Sequence, residues 1–270
     1  MLLALGYDRD KTGLITDIAE TRPAGEQSGA WHYGYDTLKR LSGATWTPTS
    51  GTATAYGYTY DRNGNRLSES VTGSATKYSR YNKLDQLLDQ RTSAAYPGGT
   101  IEKSYAWDKH GRLASETASI ASASRVYTWS VDDRLESVQL GPNTTDPKVR
   151  YTYDHEGRLI KREKSQDIAR FLVDNDNPTG YSQALSEVNA DATRTTENYY
   201  YGDDFGPLAQ VHNPGAAGFD QRFLYGDHLS TTRLLASATA GDSQHYYTPF
   251  GSIRPPAAVT RPLAPGVAVR

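Results

Sequence analysis

Large aromatic residues alternate with small or polar ones in short bursts along the chain. Tyr58-Thr-Tyr60, Tyr105-Ala-Trp107 and Tyr151-Thr-Tyr153 each set two rings two residues apart, the spacing at which side chains share one face of a β-strand. An Asp follows each burst, and a Gly lies three residues beyond it: Asp61 and Gly64, Asp108 and Gly111, Asp154 and Gly157. Asp at the first and Gly at the fourth position suit a type I turn. The carboxylate accepts hydrogen bonds from nearby backbone N–H groups, and Gly takes the positive φ at which a hairpin resumes its twist. An Arg-Leu pair then opens a return strand at Arg40-Leu41, Arg112-Leu113, Arg134-Leu135 and Arg158-Leu159. The pattern predicts strand, tight turn and strand, repeated.

Aligned on the residue after the second aromatic, the series runs Asp8, Asp36, Asp61, Asn82, Asp108, Ser130, Asp154, with steps of 21 to 28 residues. The preceding position is aromatic every time: Tyr7, Tyr35, Tyr60, Tyr81, Trp107, Trp129, Tyr153. A fixed grammar at such a period marks a repeat architecture. Acid–base chemistry needs a few groups converging on one pocket, not a ladder of similar ones. Asn82 and Ser130 can make the turn hydrogen bond without being carboxylates. Asp61, Gly64, Asp108, Gly111, Asp154 and Gly157 are therefore expected to be structural turn residues, and Tyr58, Tyr60, Tyr105, Trp107, Tyr151 and Tyr153 structural aromatics.

Composition sharpens this. Leu, Ile, Val and Phe supply only 45 of 270 residues, while tyrosine alone supplies 20. That balance favours extensive sheet with thin, partly hydrated packing over a helical bundle. Net charge is −2, which offers no broad attraction to nucleic acid or an anionic membrane. No apolar run approaches the length of a membrane span, and MLLALGYDRDK at the start lacks the marks of a signal peptide. The absence of cysteine excludes disulfides and thiolate chemistry.

YTYDRNGNRL, YAWDKHGRL and YTYDHEGRL resemble the YD repeat of the RHS (rearrangement hot spot) family, whose relatives occur in teneurins and in the shells of insecticidal toxin complexes. FLVDNDNPTGYSQALSEV, NYYYGDDFGPLAQV and LYGDHLSTTRLL with YYTPFGSIR resemble the RHS-associated core region. The resemblance implies an all-β fold in which tandem hairpins form a curved antiparallel sheet, part of a β-shell. It divides the chain into YD repeats at 1–164, a core-like region at 165–254 and a Pro-rich, disordered tail at 255–270. It further implies a secreted or cell-surface setting, and a toxin or other polypeptide cargo and further YD repeats as partners. The cleavage signature that commonly follows the core in this family is missing, and both ends lack an evident cap, so the chain is expected to be a carboxyl-proximal fragment that oligomerises when alone.

Other motifs carry less. Asp174-Asn-Asp-Asn-Pro-Thr-Gly180 gathers oxygen ligands but lacks the Gly and bidentate Glu of an EF-hand loop. His32, His110, His155, His212, His228 and His245 have no metal-binding spacing, and Asp227-His228 with Ser230 lacks a nucleophile elbow. Asn143-Thr-Thr145 fits a glycosylation sequon, and phosphate-cradling glycine loops are missing. The expectation is a non-catalytic shell segment without cofactor or metal that encloses or carries a polypeptide. The alternative is a carbohydrate-binding surface module, since rows of tyrosines can stack on sugar rings.

Overall fold

The computed structural model describes residues 3–253 apart from 24–25, 96, 166, 178, 190–194, 202–206, 213–218, 228–230 and 238–242. The Pro-rich stretch at 255–270 lies outside the described residues. The protein is all-β: 21 strands and one three-residue 3₁₀ turn, with no α-helix among the described residues. The chain divides into two compact units, Met1–Thr59 with Ser68–Thr76 and Gln244–Arg270, and Tyr60–Leu67 with Lys77–Ser243.

In the first unit, β1 (Ala4–Arg9), β2 (Ile15–Thr21), β3 (Gly29–Tyr35), β4 (Leu41–Pro48) and β5 (Thr54–Tyr60) pair in sequence, each antiparallel to the next. β6 (Arg66–Val71) has residues in both units. The end of its course returns along β5, where the Thr72 N–H donates to the Ala55 carbonyl at 2.9 Å. The core of this unit is aromatic. Trp31 and Trp46 face each other in register, their ring centroids 5.4 Å apart, with Tyr56 5.8 Å from Trp31. Such tilted pairs add to the large area each ring buries.

In the second unit the meander continues through β7 (Lys77–Tyr81), β8 (Leu87–Arg91), β9 (Ile101–Trp107), β10 (Leu113–Ala118), β11 (Arg125–Trp129), β12 (Leu135–Gln139) and β13 (Lys148–Tyr153). It goes on through β14 (Leu159–Lys164), β15 (Asp167–Asp174), β16 (Gln183–Val188), β17 (Thr195–Tyr201), β18 (Pro207–His212), β19 (Asp220–Gly226) and β20 (Thr232–Ser237), while the short β21 (Ser243–Gln244) has one residue in each unit. From β7 to β20 each strand pairs antiparallel with its successor. The buried aliphatic set is sparse: Ala169, Val211 and Leu234. Much of the interior is polar and paired instead, as where buried Asp89 accepts from Arg91 Nε at 2.7 Å and also from Arg80. This matches a sequence poor in Leu, Ile, Val and Phe, since buried charge is tolerated only when paired and hydrogen-bonded.

A bulge recurs at the mouth of the hairpins. The register shifts at Thr152/Tyr153, Thr128/Trp129, Arg80/Tyr81 and Gly34/Tyr35, so the aromatic before each turn opposes the first residue of the return strand, as Tyr153 opposes Leu159. One extra residue on the return strand raises the local twist.

Candidate functional site

The repeated turns and the aromatics beside them form the most regular constellation in the protein. The Asp108 N–H donates to the Arg112 carbonyl at 2.9 Å, and the Gly111 N–H donates back to the Asp108 carbonyl at 3.0 Å. Asp108 Oδ1 accepts from the His110 and Arg112 N–H groups at 2.8 and 3.0 Å, and Oδ2 from Arg112 Nε at 2.8 Å. Asp154 repeats the set with Glu156 and Arg158, and Asp36 with Leu38 and Arg40. At Asp61 the amide of Asn65 replaces the guanidinium, 2.9 Å from Oδ2. Asn82 reverses the polarity and donates to Gln86 Oε1 at 2.7 Å, while Ser130 uses its hydroxyl oxygen. Only the hydrogen-bond pattern is common to all of them, since the marker residue, its charge and its donor each vary.

The fourth turn position has positive φ in every case, +96° at Gly64, +80° at Gly111 and +88° at Gly157, but also +62° at Lys39, +59° at Asp85 and +60° at Asp133. Those three side chains tolerate the left-handed region at a cost that Gly avoids.

The backbone N–H of Arg158 lowers the Asp154 pKa to about 2, with further help from its guanidinium and the Glu156 N–H, against the opposing effect of desolvation. Asp36 and Asp108 are lowered for the same reasons, led by the N–H groups of Arg40 and Arg112, and Asp61 chiefly by Asn65. A carboxylate held ionised with its oxygens occupied is a weak general base and no general acid at neutral pH.

Five of the aromatics that precede a turn reach into the preceding hairpin. Tyr35 Oη donates to the Ile15 carbonyl at 2.7 Å, Tyr81 Oη to Arg66 at 3.2 Å, Trp107 Nε1 to Leu87 at 2.9 Å, Trp129 Nε1 to Leu113 at 2.8 Å, and Tyr153 Oη to Leu135 at 3.0 Å. Each acceptor is the fifth residue after the earlier marker. The ladder between β12 and β13 ends at Ser137 opposite Arg150, so the ring head group takes up a carbonyl that the ladder leaves behind. Arginine makes a second link: Arg134 Nη1 donates to the Asp154 carbonyl at 3.0 Å, and Arg112 Nη1 to the Ser130 carbonyl at 2.9 Å and to Asp133.

The outer aromatics differ more. Tyr58 is buried and meets Phe250 edge-on at 4.7 Å. Tyr105 Oη donates to Gln90 Oε1 at 3.2 Å, Tyr151 opposes Arg162 in register, and Tyr60, half-buried, ends β5. Tyr127 donates to Glu116 at 2.8 Å, and burial with that carboxylate pushes its pKa up to about 12.

The structure moves the first repeat. Asp8 lies within β1 opposite Asp17, and the turn is made by Asp10, whose Oδ1 accepts from Thr12 and Leu14 at 2.7 and 3.0 Å and whose carbonyl accepts from Gly13. The Tyr7-Asp8 pair imitated the motif, but Asp10-Lys-Thr-Gly13 carries the turn spacing. Two further turns escaped the sequence reading. The Asp227 N–H donates to Thr231 and its Oδ1 accepts from the Thr231 N–H at 3.1 Å, which is the pattern of a turn marker; His228 and Ser230 lie outside the described residues. Thr248 does the same with Ser252 and Gly251. In T-P-F-G the signal was legible as an aromatic, a hydroxyl residue and a Gly three positions on.

Among the described residues no group of three or more His, Asp or Glu side chains is arranged to hold a metal. In the Asp174–Gly180 loop, Asp174 Oδ1 accepts from the Asp176 N–H at 3.0 Å and Asn177 donates to the Tyr181 carbonyl at 2.7 Å. His110 and His155 are exposed in turns, His32 pairs with Asp17 at 2.8 Å, and His212 contacts Glu197. Asn143 is exposed, its N–H donating to Asp146. Among the described residues no helix is long and apolar enough to cross a membrane.

The family described as Teneurin YD-shell matches residues 2–254. The chain belongs to that family. The tRNA3(Ser)-specific nuclease WapA of Bacillus spizizenii is 26% identical over 198 residues, 72% of this chain but 7% of that protein. The tRNA nuclease WapA of Bacillus subtilis is 27% identical over 149 residues, 54% of this chain and 5% of that protein. The chain thus spans less than a tenth of either relative. A crystal structure of TcdB2-TccC3-Cdc42 aligns with 93% of this chain and 17% of its own, at 11% identity and a TM-score of 0.45.

Proposed function

We propose that the chain, as a member of the Teneurin YD-shell family, is a non-catalytic segment of a shell wall that works with further YD repeats to enclose or carry a partner polypeptide such as a toxin. One observation supports this most. At nine turns, from Asp10 to Asp154 and again at Asp227 and Thr248, the marker side chain accepts from N–H groups of its own turn. Side chains so engaged build a wall rather than a reaction centre. The six turn residues and six aromatics expected from the sequence take structural roles in this reading, and the division into repeats, core-like region and tail belongs to the same proposal, as does a secreted or cell-surface setting.

Carbohydrate adhesion has less support, because the aromatic head groups beside the turns are directed at backbone carbonyls of the neighbouring hairpin. The nuclease activity in the names of the two relatives belongs to proteins more than ten times the matched length.

The test is protease challenge of a polypeptide co-expressed with the chain, with and without added YD repeats. Protection that depends on the chain is expected. Hydrolytic turnover of tRNA or another substrate that is lost in Asp227→Asn would overturn the reading.

A further inference from the structure

Asn63-Gly64 is the single Asn-Gly pair in the chain, at the third and fourth positions of the turn that follows β5. The corresponding pairs in the other two glycine turns, His110-Gly111 and Glu156-Gly157, hold no carboxamide. Asn63 and Gly64 are exposed. A Cβ at Gly64 would meet nothing within 4 Å, and the Gly64 N–H donates to the Asp61 carbonyl at 3.3 Å, against 3.0 Å at Gly111 and 3.1 Å at Gly157. The nitrogen beside the Asn63 side chain is thus unshielded and loosely held.

The Asn63 carboxamide is turned away from that nitrogen, toward the next hairpin tip of the second unit. Asn63 Nδ2 donates to Asp85 Oδ1 at 2.9 Å, and Asn65 Nδ2 donates to the same oxygen at 2.7 Å. Asp85 is the fourth residue of its own turn, at φ +59°, the place that Gly64 holds in the turn before. Two amide bonds to one carboxylate therefore tie the tip of one hairpin to the tip of the next.

We propose that Asn63 is a deamidation site, held back by its bond to Asp85, whose conversion unties the two hairpin tips irreversibly. The Gly64 nitrogen gives up its proton and attacks Asn63 Cγ. The Cγ–Nδ2 bond breaks, and Nδ2 leaves as ammonia carrying that proton. Solvent water then opens the five-membered succinimide at one or other carbonyl, which leaves Asp or isoaspartate at position 63; no oxidant or reductant takes part. Cγ has to swing off the Asp85 bond before it can reach the Gly64 nitrogen, so Asp85 is a positioning residue that slows the step. After conversion a carboxylate stands where the donor was, and two like charges face each other across the former hydrogen bond. The inference is independent of what the shell carries.

The full chain and Asp85→Gly, incubated for weeks at body temperature in mildly alkaline buffer and mapped by mass spectrometry, test this. Gly suits the positive φ at position 85 and removes the acceptor. Conversion is expected at Asn63 in both proteins and at least threefold faster in Asp85→Gly, while Asn65, which precedes Arg66, stays intact. The free peptide acetyl-Asp-Arg-Asn-Gly-Asn-Arg-amide has no such acceptor and should also outpace the folded chain at least threefold. Asn63→Asp reproduces the product. Its melting temperature should fall below that of the parent chain, and most of that fall should vanish when the same change is made in Asp85→Gly. Equal rates in the two proteins, a folded chain that converts as fast as the peptide, no conversion at position 63 in either protein while the peptide converts, or an Asn63→Asp melting temperature equal to the parent's would each overturn the proposal.

Discussion

The hydroxyl of Tyr153 donates to the carbonyl of Leu135, 3.0 Å away in the preceding hairpin. This bond joins two repeats that their backbone ladder joins only up to Ser137 and Arg150. Tyr153→Phe keeps the ring and removes the donor, leaving a part-buried carbonyl without it. The expected loss is about 1 kcal/mol, read as a lower urea midpoint with unchanged slope. Tyr151→Phe, one ring earlier on the same strand, should cost less, and an equal loss would count against the inter-repeat role.

Acid should loosen the turns. The folded pKa of Asp154 is lowered to about 2 from an ordinary 3.8, so its contribution is fully present above the unfolded pKa and is lost as pH falls through the folded one. Asp36, Asp61 and Asp108 shift in the same direction. Melting temperature should therefore fall between about pH 4 and pH 2, and Asp154→Asn should remove part of that dependence. A profile unchanged by Asp154→Asn would show that this carboxylate is not the one engaged.

The glycine turns should not be equally sensitive. A Cβ at Gly64 would meet nothing within 4 Å, whereas one at Gly157 would lie 2.7 Å from Arg134 Nη2. Both sites have positive φ, so Ala costs about 1 kcal/mol at each from the backbone alone. Gly157→Ala should cost more, because it also displaces the guanidinium that donates to the Asp154 carbonyl. Thermal melts of the two variants compare them directly.

In the first unit, Arg22 and Glu20 form an ion pair whose side chains are fully buried, 3.0 Å apart. Arg22 also donates to the His245 carbonyl at 3.2 Å and lies 4.2 Å over the ring of Tyr246. Arg22→Ala takes the guanidinium from a buried carboxylate and should cost about 3–5 kcal/mol. Tyr246→Phe keeps the ring and removes the hydroxyl that donates to Glu26 and accepts from the Gln27 N–H, and should cost about 1 kcal/mol. Chemical denaturation of both variants checks the ranking.

The turns were legible in the sequence because their bonds are local. The Asp108 carboxylate reaches N–H groups two and four residues on, so a short motif contains its own physical cause. Where another residue imitated the motif, as Asp8 did, or replaced it, as Thr248 did, the same local logic still operated but under letters the Y-x-Y-D marker does not match. The bulge on each return strand was not legible, since no residue type marks it: Ser42, Leu88, Glu136 and Ile160 are the extra residues in different repeats.

By itself the sequence determined the hairpin period, the strand alternation and the all-β class, since each follows from contacts within about ten residues of chain. Only the tertiary structure decided what those hairpins do to one another. The ring of Tyr153 finding Leu135, the amide of Asn63 reaching Asp85 in the next hairpin, and Tyr246 settling on Arg22 from 224 residues away depend on register and on chain return. A pattern of residue types specifies which face a side chain takes, but it carries no distance between segments far apart in sequence.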